Sequence, residues 1–98
     1  MQRERDVEKW LCDKVKKLGG HAYKFVSPGC DGVPDRIIIL PPGRVYFVEL
    51  KANKGKPSQI QKWQIKFLSD LGCDVRLIRG QKEAEEFIHE VQDASIHM

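Results

Sequence analysis

Apolar residues recur along this chain with two periods, and the switches between the periods mark its elements. Val7, Trp10, Leu11, Val15 and Leu18 fall on one helical stripe, and Gly19-Gly20 stops that helix. The next six residues, "HAYKFV", alternate as a short strand, and "SPGCDG" (27–32) is a turn-rich loop. Val33 to Lys51, "VPDRIIILPPGRVYFVELK", reads as two strands greasy enough to be buried, joined by a tight turn. After the loop "ANKGKP", Ile60, Trp63, Phe67, Leu68 and Leu71 mark a second amphipathic helix ended by Gly72. Both Trp10 and Trp63 are thereby assigned to the core rather than to base stacking. "CDVRLI" gives a fourth strand, and Gln81 to about Gln92 a last helix with Ala84, Phe87, Ile88 and Val91 inward.

The predicted order is α-β-β-β-α-β-α. Three successive strands and a helical crossover to a fourth imply an α/β fold with a mixed sheet and helices packed on it. The strand after the crossover should lie parallel to an earlier one. Residues 1–93 are expected to form a single domain, with 94–98, "ASIHM", a patternless tail.

Composition changes this picture little. A chain of 98 residues, 41% hydrophobic and 32% charged, is one ordinary globular domain with room for one core. No apolar run approaches the roughly 20 residues of a membrane span, and the charged N-terminus "MQRERDVEKW" does not read as a signal peptide. Cys12, Cys30 and Cys73 are odd in number and widely spaced, which fits neither a disulfide framework nor a zinc site and points to a reducing compartment. His21, His89 and His97 show no ligand spacing either.

The net charge of +3 is modest, but its distribution is uneven. Leu50 to Ser69 holds five lysines (51, 54, 56, 62, 66) and no acid, whereas Glu83 to Asp93 holds five acids and no Lys or Arg. Either one region meets a polyanion while the last helix faces elsewhere, or these are two solvated faces of opposite sign.

Candidate chemistry concentrates at the open end of the hairpin. If Pro41-Pro42-Gly43 is a three-residue loop, Leu40 pairs with Arg44 and Asp35 falls opposite Glu49; a four-residue loop throws the two carboxylates onto different faces. Gly43 at the third loop position favours the former. Opposed residues have β-carbons about 4.5–5.5 Å apart, close enough for two carboxylates to share a cation. Two such anions repel unless something positive lies between them, and Mg²⁺ is held by one or two carboxylates with waters and phosphate oxygens. Asp35 and Glu49 supply the pair, and the Leu50 carbonyl is a candidate third ligand. Lys51, on the face of Glu49, then points its ammonium to where charge develops in phosphodiester hydrolysis. The plain alternative is a salt bridge of Asp35 or Glu49 with Lys51 that seals a strand end.

"GVPDRIIIL", "VYFVELK" and "PSQIQKW" together resemble the virus-type replication-repair nuclease domain, VRR-NUC, of the PD-(D/E)xK nuclease superfamily. The resemblance covers nearly the whole chain and implies a restriction-endonuclease-like fold. It implies Asp35 and Glu49 as metal ligands, Lys51 as the catalytic lysine, and Gln61 as the family's helix glutamine near the active centre. Ser58-x-x-Gln61 is equally a capping-box sequence, in which Gln61 closes the helix start. The family also places an acid on the first helix. Glu4 and Glu8 both qualify, with Glu4 slightly favoured by its spacing from Val7. For Glu8 the alternative is a pairing with Arg5 or with the turn neighbours of Cys12.

Gly29 and Gly32 would let backbone amides approach a phosphate, with Ser27 and Lys24 adding contacts, unless the loop is only a turn. Lys54, Lys56 and Lys62 are candidate phosphate contacts. The resemblance thus implies an endonuclease using Mg²⁺ or Mn²⁺ as its only cofactor, a homodimer that cuts branched DNA, Holliday junctions especially, in the cytoplasm of a bacterial or phage-infected cell. The competing readings are a DNA-binding module of the same fold without catalysis, and an interaction domain whose hairpin acids form structural salt bridges.

Overall fold

The computed structural model describes residues 3–96, with side chains through Ala94. The elements follow the order α1 (Glu4–Lys17), β1 (His21–Lys24), β2 (Arg36–Leu40), β3 (Arg44–Lys51), α2 (Gln59–Asp70), β4 (Asp74–Arg79) and α3 (Gly80–Ile96). α3 continues past the predicted end at Gln92, so residues 94–96 belong to a helix rather than to a tail. His97 and Met98, the rest of that expected tail, lie outside the described residues.

One four-stranded sheet has the spatial order β1-β2-β3-β4. β1, β2 and β3 are mutually antiparallel, and β4 lies parallel to β3 after the α2 crossover. The hairpin pairs Leu40 with Arg44 and Ile37 with Phe47, the register of a three-residue loop, and Gly43 takes a φ of 81° in it.

The sheet is covered unequally. Ala22, Ile38, Leu40, Tyr46, Val48, Leu50 and Ile78 point to one face and are buried there. α1 and α3 seal that face with Val7, Leu11, Val15, Ala84, Phe87, Ile88 and Val91, and the Tyr46 and Phe87 rings meet edge-on at 5.4 Å. Acids in the first turn of α1 and lysines in its last turn suit its dipole. Among the described helices only α2 packs on the opposite face, chiefly on β4.

α2 itself departs from the expectation. Of its apolar stripe, Ile60, Trp63, Phe67 and Leu71 are all exposed, Trp63 by 59%. Trp63 is therefore not a core residue, whereas Trp10 packs partly buried against the core as predicted. The one fully buried α2 residue is Gln64, whose Nε2 donates to Cys30 Sγ at 3.0 Å and to the Asp31 carbonyl at 3.2 Å. Ile65 and Leu68 are partly buried alongside it, and the 27–32 loop offers the acceptors that the Gln64 amide takes up.

That loop also explains Gly32. At a φ of 83°, a β-carbon there would sit 2.9 Å from the Ile60 backbone, so glycine is required where the loop meets α2. Gly29, also left-handed, faces open space. Gly29→Ala should therefore cost about 1–2 kcal/mol in urea unfolding, the price of a left-handed alanine. Gly32→Ala should cost clearly more, because it must also push α2 away; equal losses would contradict this packing.

Candidate active site

β3 is an internal strand, and its last three residues form the centre of the site. Glu49 lies on the α2 side of the sheet and is 1% exposed, an unusual position for a carboxylate. Its Oε2 receives two donors, Lys51 Nζ at 3.1 Å and Gln61 Nε2 at 3.0 Å. Its Oε1 is buried with no hydrogen-bond partner. Burial pushes the Glu49 carboxyl above its ordinary range. The Lys51 hydrogen bond opposes that rise, and the neighbouring charge of Asp35 adds to it.

Asp35 precedes β2, in the register position opposite Glu49. Its Oδ2 accepts the Leu50 N–H at 2.9 Å, which fixes the carboxylate across the hairpin. The amide and carbonyl of a strand residue emerge on the same side, so the Leu50 carbonyl is directed toward Asp35 as well. The two acids are thus close enough to influence each other's charge, as the three-residue loop predicted. The Glu49–Lys51 salt bridge also forms, and it leaves the second Glu49 oxygen unanswered.

Gln61 occupies both of the roles that its spacing allowed. Its Oε1 accepts from the Ser58 N–H at 2.9 Å while its own N–H donates to Ser58 Oγ at 3.3 Å, a complete capping box. The other end of the same amide holds Glu49. The cap therefore orients the amide, and the amide orients the carboxylate.

The first-helix acids do not complete a cluster. Glu8 Oε2 pairs with Arg36 Nε at 3.2 Å, and Arg36 also donates to the Ala22 carbonyl at 3.3 Å. Glu8 is thus engaged by the residue next to Asp35, not by Arg5 or the neighbours of Cys12. Glu4 is exposed in the first turn of α1. Among the described residues, no group of three His, Cys, Asp or Glu side chains could hold a metal. What is present is one buried, unanswered carboxylate oxygen with a second carboxylate beside it. That donor set suits a hard ion that keeps most of its waters, as Mg²⁺ does, and does not suit a zinc cage.

Lys54, Lys56 and Lys62 line one concavity of about 710 Å³ between α2, β4 and the loop after β3. Lys66 and Arg79 line it too and were not singled out in the sequence. Arg79 pairs in register with Lys51, so the groove begins beside the site; only the parallel pairing of β4 could reveal this. Lys24 and Ser27 do not line it. Lys24 is exposed at the end of β1, and Ser27 is half-buried in a turn where its carbonyl accepts from Cys30. Arg36 and Gln64 are the other positioning residues that sequence reasoning passed over, because their partners are 28 and at least 33 residues away.

The raised carboxyl has a measurable consequence. Glu49 holds its proton to higher pH folded than unfolded, so its contribution to stability is present at low pH and is lost as pH rises through the folded value. In metal-free buffer, Glu49→Gln should match or exceed the parent in thermal midpoint at neutral pH. That advantage should shrink as the pH is lowered through the carboxylate range, read by circular dichroism melts across pH.

No family model matches the chain. Among curated proteins it is 48% identical, over 79 residues, to "Putative nuclease p44" of Acyrthosiphon pisum secondary endosymbiont phage 1, covering 81% of this chain and 85% of that protein. Among solved structures it superposes on a protein described as "VRR_NUC domain" with a TM-score of 0.83 and 27% identity, over 91% of this chain and 97% of that one. The restriction-endonuclease-like order of elements, the Pro34-Asp35 and Glu49-x-Lys51 hairpin and these two relatives agree: the chain belongs to the VRR-NUC family of the PD-(D/E)xK nuclease superfamily.

Proposed function

We propose that this nuclease is a Mg²⁺- or Mn²⁺-dependent endodeoxyribonuclease that cuts branched DNA, Holliday junctions in particular, as a homodimer in the cytoplasm of a bacterial or phage-infected cell. The observation that carries the reading is the buried Glu49 carboxylate, anchored through one oxygen and open at the other, with Asp35 beside it. Asp35 and Glu49 would hold the ion, with the Leu50 carbonyl as a third protein ligand. When bound, a divalent ion supplies Lewis-acid polarisation of a phosphate oxygen and a more acidic water.

The protein's own groups do the rest. Gln61 and the Ser58 cap fix the Glu49 carboxylate, so little reorganisation is left for the reaction itself. Lys51 is poised 3.1 Å from Glu49. Once that carboxylate is engaged elsewhere, its ammonium is free to orient the attacking water and to offset charge growing on the phosphate. Attack in line with the leaving 3′-oxygen yields 5′-phosphate and 3′-hydroxyl ends. The groove of Lys54, Lys56, Lys62, Lys66 and Arg79 supports a path for the phosphodiester backbone away from the site. A two-fold pair of sites suits a symmetrical junction, which needs two related cuts. Glu4, on the exposed first turn of α1, and Glu8 are left as an outer acid and an Arg36 clamp respectively.

Three measurements test this. A labelled four-way junction should be cut only with Mg²⁺ or Mn²⁺, and Asp35→Ala and Lys51→Ala should each lose at least about a hundredfold, the scale of removing one transition-state contact. Binding without cutting under either metal would favour the silent DNA-binding module. Mn²⁺ should raise the thermal midpoint of the parent and not that of Glu49→Gln, since an ion that binds only the folded state stabilises it. Lys54→Ala and Lys62→Ala should weaken DNA binding alike on all sequences and flatten the salt dependence by about one ion each.

A further inference from the structure

Asp35 and Glu49 come from different stretches of chain, and an ion shared between them would feel how far apart they are held. Glu49 is held directly, by Gln61 Nε2 at 3.0 Å from the first turn of α2. Asp35 is reached from the same helix by another route. Gln64, three residues on and beside Gln61 on the helix surface, donates through Nε2 to Cys30 Sγ at 3.0 Å and to the Asp31 carbonyl at 3.2 Å. Among the described residues, these are the hydrogen bonds that join α2 to the 27–32 loop.

Between Asp31 and Asp35 the chain has little freedom. Gly32 lies against α2, where a β-carbon would come within 2.9 Å of the Ile60 backbone and 3.1 Å of the Gln61 nitrogen. Pro34 is fully buried with its φ fixed by the ring, and Val33 before it is confined to extended backbone. At the far end, the Asp35 carbonyl accepts the Phe25 N–H and its Oδ2 accepts the Leu50 N–H, both at 2.9 Å. A shift of the loop against α2 therefore reaches the Asp35 carboxylate instead of being absorbed on the way. Gln64 itself is only 5% exposed, yet one of its two acceptors is a thiol, which accepts weakly. Its bonds add modestly to stability; what they add is direction.

We propose that Gln64 is a positioning residue: by tying the 27–32 loop to α2 it sets Asp35 at a fixed separation from the Gln61-held Glu49, and so makes the pair selective for a small divalent ion. The selectivity rests on the metal-dependent reading above, the positioning on the hydrogen bonds alone. Mg²⁺ demands near-ideal octahedral geometry at about 2.0–2.1 Å, whereas Ca²⁺ accepts irregular sets at about 2.3–2.6 Å, so site size and rigidity separate the two. Two acids referred to one helix favour the smaller ion. Two acids free to drift apart lose that preference.

Amide NMR of the full chain tests both halves. In metal-free buffer, Gln64→Met keeps length and bulk but donates nothing. Its Leu50 amide proton should exchange about tenfold faster than the parent's while Val48 changes little, the mark of a local opening. Titrated with MgCl₂ and CaCl₂, the parent should prefer Mg²⁺. Gln64→Met should lose about tenfold in Mg²⁺ affinity, the scale of removing support behind a ligand, and lose less for Ca²⁺. Cys30→Ala withdraws one of the two acceptors; it should move the Mg²⁺/Ca²⁺ ratio the same way by less, and it serves in place of Gln64→Met if that chain does not fold. Val15→Ala, buried on the other sheet face, should lower the thermal midpoint and leave both the ratio and the contrast of Leu50 with Val48 as in the parent. Parental Leu50 exchange in Gln64→Met, or equal losses for the two ions, overturns the proposal. A parent that binds neither ion sinks the metal-dependent reading instead, and the Leu50 amide then decides the positioning by itself.

Discussion

The structure is organised around a carboxylate kept out of water. Glu49 lies two residues before the end of an internal strand, and an ionised group buried there is costly unless its oxygens find partners. One oxygen finds two and the other finds none. Every nearby element serves that arrangement. The hairpin register brings Asp35 across from it, the α2 cap aims Gln61 at it, and Lys51 supplies the opposing charge two residues along the same face. The carboxylate is left one partner short, on a strand that β2 and β4 hold from either side.

The sheet around that carboxylate is covered unequally. The α1/α3 face is closed by aliphatic and aromatic side chains, which form the buried core. On the other face α2 sits to one side, packed chiefly on β4. Its two flanks then meet different surroundings. One, with Lys62 and Lys66, borders a cationic groove that starts beside Lys51; the other, with Trp63 and Phe67, borders bare sheet. The one-sided seat of α2 thus leaves both the groove and exposed apolar side chains.

Gln61 shows how tightly local and distant structure are coupled here. A capping box would form in an isolated helix, because Ser58 and Gln61 are three residues apart. The same amide reaches Glu49, 12 residues earlier in the chain, only because α2 crosses the end of β3. Glu8 is the counter-example. Its helical spacing from Glu4 suggested a face turned toward the site, but Arg36, on the strand beside β1 on which α1 packs, took up the carboxylate.

The sequence by itself determined what depends on near neighbours. The periods located all seven elements, the Pro41-Pro42-Gly43 loop set the hairpin register, and that register placed Asp35 opposite Glu49 with Lys51 on its face. These follow because strand alternation and a short turn leave one geometry, whatever surrounds them. Tertiary structure alone decided the orientation of α2, which exposes all of the predicted stripe but Leu68. It also decided the employment of Glu8 by Arg36, the pairing of Arg79 with Lys51, and the packing of Gly32 on Ile60. A helix's apolar period says that one flank seeks cover; only the arrangement of the sheet decides whether the chain itself provides it.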